Sequence, residues 1–274
     1  MRERLFGART TATSISRFTV IGSAGAGGMG VVFEAHDPEL DRRVAIKLVS
    51  LRFADGDAAQ ARLLAEAQTL ARLDHPNIVK VYEVGRHLGG LYLAMEYIEG
   101  ETLERWIDRG GADDWRSIVR VFAEAGQGVL AAHRAGVVHG DFKPSNVMLS
   151  GAVAKASRVR VLDFGLAIDS GCRDESDSTP SAPTETATER HSSAFGGTPR
   201  YMAPELRAAA PRPDAWSDQY AFCVSMWSAL YREHPFARTD AEAMTAAMVR
   251  GVVNSPGSTR VPSWLRRVLE RGLA

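Results

Sequence analysis

The hydrophobic pattern of this chain changes once, and that change limits the possible folds more than any other feature. Up to about residue 97, short runs rich in β-branched and aromatic residues predict strands at 31–33, 44–49, 79–84 and 91–95. Apolar residues at helical spacing predict one helix within this part, over residues 57–73. From residue 101 onward the helical spacing dominates. We therefore predict a small β-rich lobe with one helix, followed by a larger, mainly helical lobe.

The larger lobe is predicted to contain one long amphipathic helix. It covers residues 114–134, and Gly136 is suited to end it because glycine readily adopts the left-handed conformation that follows many helices. Residues 169–193 are mostly Ser, Thr, Glu, Asp, Pro and Ala, which bury too little apolar surface to order a segment, so we expect a mobile loop. The other predicted elements are strands at 147–149 and 159–162 and helices at 216–231 and 241–249.

Charge and composition exclude several classes of function. Lys plus Arg and Asp plus Glu both number 33, so the zero net charge gives no electrostatic basis for binding nucleic acid or an anionic membrane. No run approaches the ~18 apolar residues of a membrane span. Residues 1–17 are polar, which predicts a flexible segment without a signal peptide. Cys172 and Cys223 show neither disulfide nor metal-ligand spacing, which favours a reducing, cytoplasmic location.

A glycine-rich run near the N-terminus is the first candidate binding element. Gly25, Gly27 and Gly30 fit the pattern G-x-G-x-x-G-x-V, in which the backbone can approach phosphates and point its N–H groups at them. Alone the pattern is weak, because most glycine-rich turns bind nothing. A dinucleotide-binding fold would need a helix directly after Gly30, whereas β-branched residues follow. The sequence favours a hairpin that covers phosphates.

Lys47 lies within a predicted apolar strand, where its ammonium group needs a partner. It shares one strand face with the small Ala45, which would leave room for a planar base. An edge-strand lysine that reaches solvent is the alternative interpretation. Glu66 lies on the inward face of the predicted helix between Leu63 and Leu70, where a carboxylate also needs a partner. A pair between Lys47 and Glu66 would satisfy both side chains.

The strongest motif is H-x-D-x-K-x-x-N, followed by a strand pair and then D-F-G. Its polar side chains belong to Asp141, Lys143, Asn146 and Asp163. Asn146 and Asp163 offer hard oxygen atoms, which suit Mg²⁺ held jointly with phosphates. Asp141 can orient an attacking hydroxyl and accept its proton, and Lys143 can balance charge on the γ-phosphate. D-F-G by itself is no evidence for a function, because three residues match by chance. The two motifs in this order, separated by a strand pair, are a specific signal for phosphate transfer.

Together these motifs resemble those of the eukaryotic-type (Hanks-type) serine/threonine protein kinases of bacteria. The resemblance runs from about Phe18 to the C-terminus, and residues 197–205 resemble the family's substrate-side segment ending in A-P-E. It implies an α+β, two-lobed fold with a small antiparallel lobe and ATP between the lobes. It also implies transfer of the γ-phosphate to Ser or Thr of proteins, with Mg²⁺ (or Mn²⁺), in a signalling role that includes autophosphorylation.

The resemblance assigns further positions. It implies a first lobe at 18–97, a second at 98–274 and a mobile activation segment at 163–205. Asp218 resembles an aspartate that supports the catalytic loop from below, and Lys143 with Thr198 resembles the serine/threonine rather than the tyrosine kinases. The residues implied to hold adenine are Val32, Ala45 and Met148, the gatekeeper Met95, and the hinge residues Glu96 and Ile98.

Two departures from the family pattern affect what we expect. Gly140 occupies the position of an arginine that often grips a phosphate on the activation segment, so we expect activity to depend little on phosphorylation there. The family continues into further helices where this sequence stops, and one arginine there pairs with the A-P-E glutamate, Glu205. We expect either a fragment of a longer protein, which could carry a membrane anchor, or a substitute pair between Glu205 and Arg266 or Arg267.

Two other functions compete with the protein kinase interpretation. The sequence His139–Gly140–Asp141 resembles the loop of aminoglycoside-type phosphotransferases, which share the two-lobed fold. Lys143, the glycine run and residues 197–205 argue against that class. A non-enzymatic scaffold is the second alternative, although each of the expected catalytic side chains is present. Phosphate transfer to a protein, to an aminoglycoside or to neither would separate the three.

Overall fold

A computed structural model describes most of the chain. The described residues are 14–27, 30–50, 57–88, 90–111, 114–151, 158–164, 200–207, 212–236, 241–256 and 260–274. The chain divides into two compact units. The first comprises Met1–Arg72 and Lys80–Tyr97, and the second comprises Leu73–Val79 and Ile98–Ala274. Among the described residues, none of the helices has both the length and the apolar character needed to cross a membrane.

In its described residues, the first unit forms an antiparallel sheet of six strands and one helix. Its strands are β1 (Ser14–Ile15), β2 (Phe18–Gly27), β3 (Gly30–Asp37), β4 (Arg42–Ser50), β5 (Val81–His87) and β6 (Gly90–Glu96), and its helix is α1 (Asp57–Ala71). Their order across the sheet is β1-β2-β3-β4-β6-β5. The predicted antiparallel sheet and the predicted helix are therefore confirmed, with β5 beginning two residues later than its apolar run suggested.

Strand β4 separates apolar side chains from Lys47 by simple alternation. Val44 and Ile46 are completely buried on one face, in a core cluster with Phe18, Ala35 and other apolar residues. Lys47 points to the opposite face and is nevertheless only 2% exposed. The interpretation of Lys47 as an edge lysine that reaches solvent is therefore wrong, because strands β3 and β6 pair with β4 on both sides.

The second unit is mainly helical. Its elements are β7 (Glu101–Thr102), α2 (Leu103–Asp108), α3 (Trp115–Arg134), β8 (Val147–Ser150), β9 (Arg158–Val161), α4 (Ala215–Tyr231), α5 (Ala241–Val249) and α6 (Ser263–Gly272). Strands β7, β8 and β9 form a small sheet. The sequence did not predict α2 or α6. Helix α2 has six residues, too few for a periodic pattern, and α6 buries only Leu265 and Leu269.

Local sequence signals set the ends of the two central helices. Asp114 caps α3 by accepting the N–H of Arg116 at 3.2 Å, and Gly136 follows α3 with φ of +76°, as predicted. Asp214 caps α4 in a reciprocal pair with Ser217: its carboxylate accepts the N–H of Ser217, and the Ser217 hydroxyl oxygen accepts the N–H of Asp214. These caps fix where α4 begins, and Asp218 lies in its first turn.

Candidate active site

The catalytic loop is held by the carboxylate of Asp218, which is only 1% exposed. One of its oxygens, Oδ2, accepts the backbone N–H of His139 at 2.7 Å, and Oδ1 accepts that of Gly140 at 2.8 Å. The ring atom Nε2 of His133 lies 2.7 Å from Oδ2. The support that the sequence predicted for this loop is confirmed. Gly140, the departure from the family pattern in this loop, has φ of +73°. Glycine adopts this left-handed conformation without strain, so the residue fits the backbone at this position.

Asp141, the predicted base, is oriented by two neighbours in the same loop. The Nζ of Lys143 donates to its Oδ2 at 2.6 Å, and the Nδ2 of Asn146 donates to its backbone carbonyl at 2.9 Å. Asp141 itself is only 7% exposed. A carboxylate fixed in this way has little freedom to rotate, which suits a group that must meet one hydroxyl in one geometry.

Asn146 and Asp163 are brought together by backbone pairing. Asn146 ends a short 3₁₀ helix (Pro144–Asn146), and its carbonyl accepts the N–H of Leu162 at 2.8 Å. Asp163 follows directly, with φ of +57°, a left-handed conformation that is uncommon for a residue with a side chain. The two residues that the sequence predicted as magnesium ligands thus lie on adjacent stretches of chain.

His139 joins the two loops through its ring. The imidazole is completely buried, its centroid lies 4.7 Å from that of Phe164, and its Nδ1 accepts the N–H of Asp141 at 3.3 Å. Burial lowers the pKa of His139 below its usual value, although Asp218, Asp141 and Asp163 favour the charged form. The ring is therefore neutral near pH 7, and it packs on Phe164 as an aromatic group.

A small cleft opens beside Asp141. Its walls come from the catalytic loop, from α4 and from the segment that precedes and includes a 3₁₀ helix at Pro204–Arg207. Tyr201 and Met202 line it together with Asp141 and Phe142. The described part of the predicted substrate-side segment therefore lies next to the predicted base. Thr198 and residues 169–193, with the predicted mobile loop, lie outside the described residues.

The predicted phosphate-binding residues of the first unit lie on three paired strands. Gly27 pairs with Gly30 and Gly25 with Val32, so β2 and β3 form the predicted hairpin rather than the strand and helix of a dinucleotide-binding turn. Lys47 pairs with Val32 on β3 and with Leu93 on β6. Glu66 lies in α1, but its side chain is outside the described part of the structure, so the pair with Lys47 stays a prediction.

The predicted adenine-binding residues are divided between the units. Ala45 pairs with Met95 across β4 and β6, and the backbone N–H of Glu96 donates to the carbonyl of Lys80 at 2.8 Å. Ile98 and Met148 belong to the second unit, where Met148 lies on β8 opposite Arg160. The six predicted adenine-binding residues are all at least partly buried. Their role in binding stays a prediction.

The substitute pair expected for Glu205 is not formed by Arg266. Glu205 is exposed, and the guanidinium of Arg266 donates to Glu270 at 2.7 Å within its own helix. Glu205 is therefore not a buried carboxylate that requires an arginine partner. An exposed carboxylate is solvated by water and needs no partner.

Two histidines near the catalytic loop were not identified from the sequence. His133 contacts Asp218 from the last turn of α3, and His234 contacts the carbonyl of Arg200 in the substrate-side segment at 2.8 Å. Neither stands in a motif with a periodic or spacing signal. Only the three-dimensional packing brings them to these places.

Comparison with known proteins gives the family. The protein kinase domain family matches residues 18–269 of the chain. The chain belongs to the protein kinase family. This kinase domain implies the use of ATP, and it confirms the fold class and the family predicted from the sequence.

The relatives of the kinase domain include several bacterial proteins. It is 34% identical over 221 residues to serine/threonine-protein kinase pkn3 of Myxococcus xanthus, covering 80% of this chain and 38% of that protein. It is 35% identical over 240 residues to a probable serine/threonine-protein kinase of Streptomyces coelicolor, covering 85% of this chain and 32% of that protein. The chain thus spans about a third of the length of these relatives.

Solved structures agree on the fold. The PknI kinase domain of Mycobacterium tuberculosis is 25% identical, with a TM-score of 0.68, and the match covers 97% of this chain and 92% of that one. Rad53, solved in complex with AMP-PNP, is 21% identical with a TM-score of 0.71, and the match covers 94% of this chain and 60% of that one. At that identity the second likeness shows the fold alone.

Proposed function

We propose that this kinase domain transfers the γ-phosphate of ATP to serine or threonine hydroxyls of proteins. The observation that carries the proposal is the position of Asp141. Its carboxylate accepts a hydrogen bond from Lys143 at 2.6 Å, and the residue lines a small cleft together with Tyr201 and Met202 of the substrate-side segment. The names of the two relatives reported above, both serine/threonine kinases, support the same class of acceptor.

In this proposal the residues of the catalytic loop have distinct tasks. Asp141 accepts a hydrogen bond from the substrate hydroxyl, turns its oxygen toward the phosphorus atom and takes up its proton as the bond forms. Lys143 donates to Asp141 in the absence of substrate and would contact the transferring phosphoryl group during the reaction. Asn146 keeps the backbone of Asp141 in place through its amide N–H.

The oxygen donors fit a magnesium ion. The Nδ2 of Asn146 donates to the carbonyl of Asp141, so its Oδ1 is the side-chain atom that can bind a metal. Asp163 lies nearby in the fold, because it directly follows Leu162, whose N–H donates to the carbonyl of Asn146. Asn146 and Asp163 would hold Mg²⁺, or Mn²⁺, through these hard oxygens together with oxygens of the ATP phosphates. The bound ion would neutralise phosphate charge and leave the protein residues to orient the acceptor.

We propose that residues of the first unit bind the nucleotide. Lys47, with Glu66 as its partner, would contact the α- and β-phosphates, and the hairpin with Gly25, Gly27 and Gly30 would cover them. Adenine would contact Val32, Ala45 and Met148, with hydrogen bonds to the backbone at Glu96 and Ile98 beside Met95. The complex of Rad53 with AMP-PNP, an ATP analogue, supports this use of the fold. Because ATP is the donor, we propose a cytoplasmic location.

Substitution of the proposed base tests the function. Asp141→Asn keeps the shape of the side chain but cannot accept the proton, so transfer of labelled phosphate from ATP to myelin basic protein should fall at least ~100-fold. The affinity for ATP, measured by calorimetry, should stay within about twofold. Asp108→Asn, an exposed change on α2, is the matched control and should transfer at the wild-type rate.

Three results would count against the proposal. If Asp141→Asn lost ATP affinity as strongly as transfer, Asp141 would be a binding residue and not the base. Wild-type protein that binds ATP but labels no protein would indicate a scaffold. Labelling of an aminoglycoside, but not of myelin basic protein or of the chain itself, would indicate a small-molecule phosphotransferase.

A further inference from the structure

His234 lies outside every motif described above, yet it contacts the substrate-side segment. It follows α4 in the sequence and is only 7% exposed. Its Nε2 lies 2.8 Å from the carbonyl oxygen of Arg200, and its Nδ1 accepts the backbone N–H of Phe236 at 3.2 Å. One buried ring thus joins the turn after α4 to a segment more than thirty residues earlier in the chain.

The hydrogen bonds of His234 define its chemical state. Because Nδ1 accepts a hydrogen bond from the N–H of Phe236, the ring proton must be on Nε2, which then donates to the carbonyl of Arg200. Burial lowers the pKa of His234; the hydrogen bond to the Arg200 carbonyl acts in the opposite direction, and the charges of Arg200 and Arg207 again disfavour a second proton. His234 is therefore a neutral donor, and this single tautomer satisfies both contacts.

The turn that carries His234 is itself anchored. The Nδ2 of Asn254 donates to the carbonyl of His234 at 3.1 Å, and the N–H of Asn254 donates to that of Pro235 at 2.7 Å. Phe236, which is completely buried, stacks parallel to Tyr220 of α4 at 6.1 Å. These contacts therefore hold in place the turn from which the His234 ring extends.

The residue that His234 holds is adjacent to the cleft. Arg200 is exposed and directly precedes Tyr201 and Met202, which line the cleft with Asp141. From Arg200 to Met202 the chain has no regular helix or strand. A lost contact at the carbonyl of Arg200 would therefore free the cleft wall next to it.

We propose that His234 is a positioning residue for the protein substrate: through the carbonyl of Arg200 it holds Tyr201 and Met202 in the place where they accept the peptide beside Asp141. This inference deepens the proposed function and rests on it. It predicts an effect on the protein acceptor and none on ATP. If His234 only stabilised the turn, its substitution would lower the stability of the fold without a separate effect on the KM for the protein acceptor.

Two substitutions separate the two contacts of the ring. In His234→Asn the side-chain oxygen can reach the position of Nδ1 and accept the N–H of Phe236, but the side chain is too short to reach Arg200. In His234→Gln the amide nitrogen can reach the position of Nε2 and donate to Arg200. His234→Asn thus keeps the hydrogen bond from Phe236 and loses the one to Arg200, whereas His234→Gln keeps the hydrogen bond to Arg200.

Steady-state kinetics with ATP and myelin basic protein give the first measurement. For His234→Asn we expect the KM for myelin basic protein to rise about five- to tenfold, the loss of one buried hydrogen bond, with kcat and the KM for ATP within about twofold. His234→Gln should restore most of the loss. Equal KM values for the protein acceptor in the wild type and in His234→Asn would overturn the proposal.

Hydrogen exchange of the backbone amides gives a second measurement that needs no phosphate transfer. In His234→Asn the peptide covering residues 200–207 should exchange faster than in the wild type, with the peptide covering 230–236 unchanged; His234→Gln should match the wild type. Faster exchange confined to 230–236 would contradict the proposal. If wild-type protein phosphorylates no protein, the proposed function fails while this measurement still decides whether His234 holds the segment.

Should His234→Asn fail to fold, the wild type can still be tested. The ¹⁵N shifts of its histidine rings at pH 7.5 should assign to His234 a neutral ring with the proton on Nε2. A proton on Nδ1 would rule out donation to Arg200 and with it the proposed role.

Discussion

At the scale of single residues, the catalytic loop depends on buried acceptors. Asp218 offers the two oxygens of one carboxylate to the N–H groups of His139 and Gly140 and to the ring of His133. Burial of this carboxylate, which is 1% exposed, removes its hydrogen bonds to water. The hydrogen bonds from these donors compensate for that desolvation cost. The geometry of the loop is therefore tied to one side chain on α4.

Asp218→Asn should destabilise the protein by ~1–3 kcal/mol, because the amide NH₂ that replaces one oxygen cannot accept a backbone N–H. Urea denaturation measures the change, and hydrogen exchange should become faster at residues 139 and 140. Asp214→Asn, on the same helix, is the matched control, since asparagine caps a helix about as well as aspartate. Equal free energies of unfolding for the two variants would show that the hydrogen bonds of Asp218 do not contribute to stability.

At the scale of elements, α3 is the helix against which the segment Leu73–Val79 packs. Gly128 makes a close approach possible: a Cβ there would come within 2.6 Å of the carbonyl oxygen of Asn77. The side chain of Asn77 in turn donates to the carbonyl of Val159 on β9 at 3.1 Å, and the N–H of Val161 donates to its backbone carbonyl at 2.9 Å. One glycine thus sets the distance between α3 and the strand that leads to Asp163.

Gly128→Ala should lower the free energy of unfolding by ~1–3 kcal/mol despite the better helix propensity of alanine, because a backbone carbonyl cannot move away easily. Gly126→Ala is the control on the same helix. Its Cβ would meet only the ring of Phe222, at 3.4 Å, so the variant should be neutral or more stable. Thermal and urea unfolding would check both, and a stabilised Gly128→Ala would contradict the packing described.

At the scale of the whole molecule, buried neutral histidines make stability depend on pH. Burial lowers the pKa of His234, while in the unfolded chain a histidine titrates at ~6.5. Below that pH the unfolded state binds more protons than the folded state, so stability decreases as the pH falls. His139, whose pKa is also lowered by burial, acts in the same direction.

The free energy of unfolding should therefore fall between pH 7.5 and pH 5.5, and it should fall less in His234→Asn, which lacks one of the two titrating groups. Urea denaturation across this range measures both slopes. Parallel slopes for the two proteins would mean that His234 has an ordinary pKa in the folded state.

Much of the candidate site could be predicted because its signals are local. The order of Asp141, Lys143, Asn146 and Asp163 is written in two short motifs, and each motif lies in a loop next to a strand whose apolar run is visible. The alternation of Val44, Ala45, Ile46 and Lys47 likewise assigns opposite faces, because the period of a strand is two residues. The structure confirms the strands, the loops and the burial of Lys47.

The rest could not be predicted because it depends on contacts between distant parts of the chain. A sequence shows that Asp218 lies near the start of a helix, but not that its carboxylate accepts N–H groups almost eighty residues earlier. In the same way, His234 has no pattern of its own, and only the folding of its turn against Arg200 gives it a partner.

The sequence by itself determined the types of the longer elements, the family and the identity of the chemical groups, since these follow from local periodicity and from motifs short enough to read directly. Only the tertiary structure decided which groups hold others in place, that Glu205 is exposed, and that Arg200 is held by a histidine. The physical reason is that hydrogen bonds and burial at the site join residues far apart in the chain, and their partners are set by packing rather than by spacing.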